Sequence, residues 1–558
     1  MKRKLDKLLK EALRKCIDAG KLTETALPEY VIEVPNNSAH GHFATNLPLV
    51  LASSQKKRPR DLATMIVDNL EDRDRLLQKV EIAGPGFINF TITAHHWQRF
   101  LGDILRLGVD YGRSAMGAGQ RVLVEFVSAN PTGPLHLGHG RGAALGDTLC
   151  RILDFTGHEV VREFYINDAG LQVQLLGESV YSRWKQMSDP GYPFPENGYH
   201  AEYIVDLAKE ISSEVDFGSL KPDEAIARCA QFAKGRMLDE IKRDLADFRV
   251  AFDIWSSESD LYASGLIDKT LESLRTKGDL YEEDGALWIK SSSFGDDKDR
   301  VLRKSDGQYT YFAPDIAYHI EKWKRGFTKA INIWGADHHG YVQRMKAALK
   351  TNGIQEDWLS VLLLQLVKLW RGGEEVKMSK RAGLYVTLKE LVDEVGVDSA
   401  RFVFLTKNHD SPLDFDIDQV KKQDADNPVY YVQYAHARIS SVFRKAASES
   451  LSLPSAPEPI LGRLALDEEM ALIRLMADFP NLLEDISRTL EPHRLTYYLA
   501  ELASLFHKYF NLGTKDSEKR MVGEDQALSQ ARLCLIEGLR VVLSNGLRLL
   551  GIHAPERM

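Results

Sequence analysis

Two imidazoles, His136 and His139, bracket Leu137-Gly138 in the segment ANPTGPLHLGHGRGAALGD, where a strand-like run hands over to a helical one. Glycines let a backbone approach a ligand closely, and a helix N-terminus attracts phosphate oxygens. Two ring N–H donors at such a junction suit the gripping of a triphosphate. A second basic segment, Val376-Lys377-Met378-Ser379-Lys380-Arg381-Ala382-Gly383, follows WRGGEE. Alone it reads as solvated surface. Beside a triphosphate, Lys377 and Lys380 become a clamp for phosphate charge, and groups that meet such charge only in the transition state raise the rate.

A different nucleotide chemistry is also written here. Gly138, Gly140 and Ala143 fit G-x-G-x-x-A, with Glu159 or Glu163 about 20 residues on. In that dinucleotide motif the first glycine follows its strand almost at once, whereas here about ten residues intervene, Pro131 and Pro134 among them. No G-x-x-x-x-G-K-[ST] loop occurs. Hydride transfer is the weaker reading.

The elements that must position these groups fall into three textures. Residues 1 to about 112 read as α+β: a basic helix, then short strand-like runs such as Tyr30–Val34 and Phe87–Ile92, closed by the linker-like Arg113–Gln120. Residues 113–426 alternate strand and helix signals, the pattern of a parallel sheet: RVLVEFV, then a helix ending at Gly157, then HEVVREFYI. A charged stretch from about Ser188 to Ser293 interrupts the alternation and is expected to be a helical insertion. From Asn427 to Met558 amphipathic segments predict an all-α bundle, with Leu451–Pro459 a loop between helices. The fold class expected is multidomain α/β.

Composition narrows the partners. The 558 residues are 44% hydrophobic and 27% charged, ordinary for a soluble globular protein. No stretch approaches the roughly 18 consecutive apolar residues of a membrane span, and the basic start lacks a signal peptide's apolar core while carrying Asp6 and Glu11. Cys16, Cys150, Cys229 and Cys534 form no zinc spacing or disulfide framework, so a reducing cytoplasm is expected. Asp337-His338-His339 lacks further ligands at a convincing spacing, so no zinc site is expected. The net charge of −8 does not exclude RNA, which sees a local surface. Lys2, Arg3, Lys4, Lys7, Lys10, Arg14 and Lys15 are such a cluster, or simply a solvated helix face.

Together the His136–His139 and Lys377–Lys380 segments, about 240 residues apart across an insertion, resemble the paired HIGH and KMSKS signatures of class I aminoacyl-tRNA synthetases. VEFVSANPTGPLHLGH, REFYINDAGLQVQLLGESV, GQYTYFAPDIAYH, INIWGADHHGYVQRMKAAL and NPVYYVQYAHARI, with HGHFATNLPL, GPGFINFTI and LLGIHAPERM, resemble the arginyl branch over nearly the whole chain. The resemblance implies a split Rossmann-like catalytic domain, an N-terminal domain that binds the tRNA D-loop and a C-terminal anticodon-binding bundle. It implies activation of L-arginine by ATP with Mg2+, then transfer to tRNA, by a monomer without membrane association.

Residue by residue, the resemblance assigns His136, Gly138, His139, Asp337, Met378, Ser379 and Lys380 to ATP, and His136, His139, Lys377 and Lys380 to the chemical step. It assigns Glu125, Tyr311 and Asp315 to a guanidinium pocket, with Asn130 at the α-amino end and His338 nearby. A guanidinium is a planar charged fork that carboxylates grip with paired hydrogen bonds. Read without the family, Glu125 is an ion pair at a strand end and Tyr311 is core packing. For tRNA the resemblance names Tyr431, Tyr434, Arg438, Arg444 and Met558 at the anticodon, and Phe87 and Asn89 at the D-loop. The tyrosines read equally as bundle core, and Phe87 and Asn89 as a half-buried strand. Other readings are a synthetase for another amino acid, a nucleotidylyltransferase, or a synthetase-like RNA-binding regulatory protein.

Overall fold

A run of three apolar residues, Val122, Leu123 and Val124, is buried on both faces and forms the middle of a five-stranded sheet. A strand without polar alternation fits only where helices cover both sides. The strands are β1 (Arg121–Glu125), β2 (Glu159–Ile166), β3 (Ile254–Ser257), β4 (Lys329–Gly335) and β5 (Leu359–Leu364). They are all parallel, in the order β5-β4-β1-β2-β3. The chain therefore builds one side of β1 through β2 and β3, then crosses to the other through β4. Such a reversal opens a crevice at the carboxyl ends of the strands. Glu125 and Asn332 lie side by side in register at its lip.

The computed structural model describes residues 1–35, 37–377 and 386–558. The N-terminal region is α+β: the helix Lys2–Asp18 packs with an antiparallel sheet whose strands run Ile32–Glu33, Phe43–Thr45, Phe87–Ile92, Leu77–Ala83 across its width. The helix Ala94–Leu107 packs against the C-terminal helices Asp467–Thr489 and Gln526–Leu549. Tyr111 donates to the carbonyl of Met476 at 3.0 Å, and Asn545 donates to the carbonyls of Gly108 and Tyr111. One apolar cluster runs through the N-terminal region, the parallel sheet and the bundle. No helix among the described residues is long and apolar enough to cross a membrane.

The stretch expected to be a helical insertion is helical over Glu202–Glu214 and Pro222–Asp247. It then departs from that expectation. FDIWSSE returns to the sheet as β3, paired with β2, and Leu280–Glu283, Ala286–Ile289 and Arg300–Arg303 make a small antiparallel sheet. The charged helices on either side mask a four-residue strand whose aromatic partner, Phe164, stacks on Trp255 at 4.6 Å.

A buried arginine, ion-paired within the parallel-sheet region, ties that region to the bundle. Arg401 donates to Asp147 on the helix Leu137–Phe155 at 2.5 Å, to the carbonyl of Phe248 at 3.0 Å and to that of Leu550 at 2.8 Å. Gly551 sits at φ +71°, and a Cβ there would lie 2.4 Å from the guanidinium. Breaking a buried pair strands the remaining charge, at a cost of about 3–5 kcal/mol. Arg401→Met is therefore expected to lower Tm clearly by calorimetry, and Gly551→Ala to do so through the same contact. An unchanged Tm in both would remove this pair as the tie.

Candidate active site

The helix Leu137–Phe155 begins at β1's carboxyl end, and its cap is made by the two histidines themselves. Nδ1 of His136 accepts the N–H groups of Gly138 (3.1 Å) and His139 (3.4 Å), while Nδ1 of His139 accepts the N–H of His136 at 3.3 Å. Their rings stack with centroids 3.7 Å apart. Because both Nδ1 atoms accept, each neutral ring carries its proton on Nε2. The glycines serve packing: a Cβ on Gly140 would lie 2.6 Å from Leu388, and one on Gly146 would lie 2.2 Å from Phe126. None of these helical glycines makes the tight turn that the dinucleotide reading required.

The residues that follow the second motif meet the first. Lys377 is exposed, and Met378, Ser379 and Lys380 lie outside the described residues. Beyond them, Thr387 bridges to His136 across an antiparallel contact, and the N–H of Leu388 donates to the carbonyl of Leu135 at 2.7 Å. Thr387 also caps the helix Leu388–Val395 in a capping box with Glu390. A tertiary bridge thus sets the far end of the basic loop against the histidine cap.

Beside the histidines the backbone is strained. Val127 stands at φ +66° and Ser128 at φ +40°, and the N–H of Ser128 donates back to the carbonyl of Phe126 at 2.9 Å. A β-branched residue there is a genuine outlier, the kind that clusters at functional sites. The turn aims the Ser128 hydroxyl at Glu125 (3.0 Å) while its oxygen accepts the N–H of Tyr165 (3.1 Å). Asn130, half-buried, donates to Gln172 at 2.6 Å.

The expected pocket carboxylates separate into two kinds. Glu125 is buried and bound by the wholly buried Lys322, so the ion pair at a strand end is what the structure contains. Asp315 accepts only the Tyr341 hydroxyl, at 2.5 Å, among the described residues, and burial pushes its carboxyl up to about 6. Glu258, absent from the sequence reading, follows β3 directly. It is buried, its Oε2 has no hydrogen-bond partner among the described residues, and burial followed by repulsion from Asp315 and Asp168 pushes it up to about 7. The Tyr165 hydroxyl is buried and unpartnered too. Two carboxyls without a cation, at the carboxyl ends of parallel strands, ask for a cationic ligand. Tyr311 is 73% exposed, so it is not the core residue of the alternative reading, and it stands one turn before Asp315. His338 is exposed beside Trp334, with Asp337 3.7 Å away.

Far from this crevice, a cavity of about 780 Å³ in the bundle is lined by Tyr434, Arg438, Arg444, Phe510, Arg557 and Met558 among others. Arg438 lies over the rings of Tyr434 (4.5 Å) and Phe510 (4.7 Å). Tyr431 instead turns into the bundle against His507, so the core reading describes it. In the N-terminal sheet Asn89 is buried and Phe87 half-buried.

Three family models match along the chain. The arginyl tRNA synthetase N-terminal domain covers residues 3–92, the class I (R) tRNA synthetase catalytic domain 101–442, and the DALR anticodon binding domain 432–558. The chain belongs to the arginyl-tRNA synthetase family. Arginine–tRNA ligases of Desulfosudis oleivorans and Geobacter metallireducens are 48% and 47% identical to it, each over the whole of both chains. Arginyl-tRNA synthetase structures from Thermus thermophilus (TM-score 0.78, 23% identity, all of both chains) and Plasmodium falciparum (0.74, 17%, all of this chain and 99% of that one) share its fold.

In this arginyl-tRNA synthetase family member the signal for Glu258 was its place: an acid directly after a strand, which only the recognition of β3 reveals. Its raised carboxyl lowers stability as pH climbs from the ordinary glutamate range through about 7, since the native state holds a proton the unfolded chain releases. Glu258→Gln is expected to raise Tm by a few degrees at pH 8, with a smaller gain at pH 5. An equal gain at both values would show that the carboxyl is not held in this way.

Proposed function

We propose that the protein is an ATP-dependent arginine–tRNA ligase, and that Asp315 and Glu258 hold the arginine guanidinium. The observation that carries this reading is the pair of buried carboxyls, Asp315 and Glu258, that have no ion-pair partner among the described residues. A planar fork of five donors meets two carboxylates with several directional bonds, and a shorter ammonium leaves acceptors unpaired. Tyr311 covers the aliphatic stem from the mouth. Asn130 and His338 receive the α-amino end. Glu125 stands behind the pocket rather than in its lining.

ATP enters along the amino end of the helix Leu137–Phe155 with Mg2+ as the counter-ion of its phosphates. The Nε2–H groups of His136 and His139 donate to phosphate oxygens, the Gly138 backbone permits close approach, and Asp337 lies at the nucleotide side. The arginine carboxylate attacks the α-phosphorus, the bond to the β-phosphate oxygen breaks, and pyrophosphate leaves. Lys377 and Lys380, with Met378 and Ser379 between them, meet the charge that builds in that step. A terminal adenosine hydroxyl of tRNA then attacks the arginyl carbonyl and AMP departs.

Tyr434, Arg438, Arg444 and Met558 offer stacking faces and cations to unpaired anticodon bases, with Tyr431 supporting them from the bundle. Phe87 and Asn89 serve a D-loop base. The protein acts as a monomer in this reading, and four buried thiols suit the reducing cytoplasm.

Aminoacylation of unfractionated tRNA, run against each of the twenty amino acids, tests the reading. Arginine alone should be charged, and a protein that charges another amino acid, or none, would overturn it. The KM for arginine should rise at least tenfold between pH 8 and pH 5.5, because Asp315 and Glu258 bind only as carboxylates. A flat profile would exclude them. Arg438→Ala should weaken tRNA binding by about tenfold and flatten its salt dependence, measured by filter binding. Unchanged binding would remove the bundle cavity from the interface.

A further inference from the structure

Lys322 is the most deeply buried cation of the crevice and has no part in the mechanism above. Its side chain, from the helix Phe312–Lys324, is wholly inaccessible and ends on Glu125. Asn332 Oδ1 lies 3.4 Å from the ammonium, and the Tyr318 ring lies under it at 4.3 Å. Asn332 in turn donates to Nε2 of His319 at 2.9 Å, and Nδ1–H of His319 donates to the backbone carbonyl of Asp315 at 2.7 Å. Glu163, one strand over, is answered separately by Arg325 (2.7 Å), the Tyr318 hydroxyl (2.8 Å) and Ser256 (2.6 Å). Asp168 is answered by Lys234 at 3.0 Å. Among the described residues Glu125, Glu163 and Asp168 thus each have an ion-pair partner, whereas Asp315 and Glu258 have none, Lys322 acting on Asp315 only at a distance.

Coulomb interactions fall off slowly in a site shielded from water, so the number of uncompensated charges matters as much as their contacts. With Lys322 in place the pocket holds two carboxyls for one incoming guanidinium. Without it there would be a third, Glu125 at the end of β1. Glu125 would also be a ready seat for the ammonium of lysine or ornithine, a seat that Lys322 already fills.

We propose that Lys322 is a positioning residue that sets the charge of the amino-acid pocket: by occupying Glu125 it leaves only Asp315 and Glu258 for the substrate side chain and denies a shorter diamino acid its anchor. This rests on the arginine reading above. It assigns Glu125 an indirect role, felt through the ammonium it neutralises.

A double-mutant cycle separates that role from direct contact. Glu125→Gln frees the ammonium to repel the substrate and should raise the KM for arginine about 100-fold, with the KM for ATP within threefold. Lys322→Met should raise it about tenfold and increase inhibition by ornithine. The double variant Lys322→Met/Glu125→Gln removes both charges together, and exchanging a buried pair for uncharged groups is tolerated far better than stranding one partner. Its KM for arginine should recover at least tenfold from that of Glu125→Gln. Losses that multiply in the double variant, with native Tm and circular dichroism, would place Glu125 on the substrate and overturn the proposal. If either single variant fails to fold, the double variant decides: a KM raised tenfold or less supports the proposal, and one raised 100-fold or more ends it. A wild-type enzyme that did not charge arginine would instead refute the functional reading and leave the charge pairing untouched.

Discussion

The molecule hangs on one buried guanidinium. Arg401 reaches Asp147 on the helix that the histidines cap, the carbonyl of Phe248 where the long insertion helix ends, and the carbonyl of Leu550 at the foot of the bundle. A planar fork can hold three such acceptors only if all three segments come to one place. The histidine-capped helix, the insertion and the last helix are therefore locked at a single point. Two sites a domain apart are kept in fixed relation by that lock, with Tyr111 and Asn545 adding a second tie from the N-terminal side.

Around the crevice the governing quantity is charge balance. Parallel strands bring carboxylates together at their carboxyl ends: Glu125 on β1, Glu163 on β2, Glu258 just past β3. Buried carboxylates must be paired or protonated. The fold pairs Glu125 and Glu163 internally and leaves Asp315 and Glu258 raised and waiting. Strain at Val127 and Ser128 belongs to the same arrangement, since that turn brings the Ser128 hydroxyl onto Glu125 and clears the way to Asn130. Stability is given up locally where binding requires it.

Much of this was legible before folding. The alternation of strands and helices, the α-helical C-terminal quarter, the histidine pair at a strand–helix junction and the basic segment were all read from residue types and spacing. Asp315, Asn130 and Tyr434 were named through resemblance alone. The missed strand has a simple cause. FDIWSSE was lost among charged helices because a four-residue strand carries too little periodicity to announce itself, and with β3 went Glu258. Gly138 and Gly140 imitated a dinucleotide fingerprint although Gly140 is spent on packing against Leu388.

By itself the sequence determined the histidine pair at a strand–helix junction, the basic segment 241 residues after it, and the aromatics and arginines spaced along one helix. These are properties of residue types at short spacing. Only the tertiary structure decided which carboxylate is free and which is spent. Lys322 meets Glu125 across 197 positions of chain, and Thr387 meets His136 across 251. No local pattern reports such a meeting, because partner choice among like-charged groups depends on where the packed elements bring them.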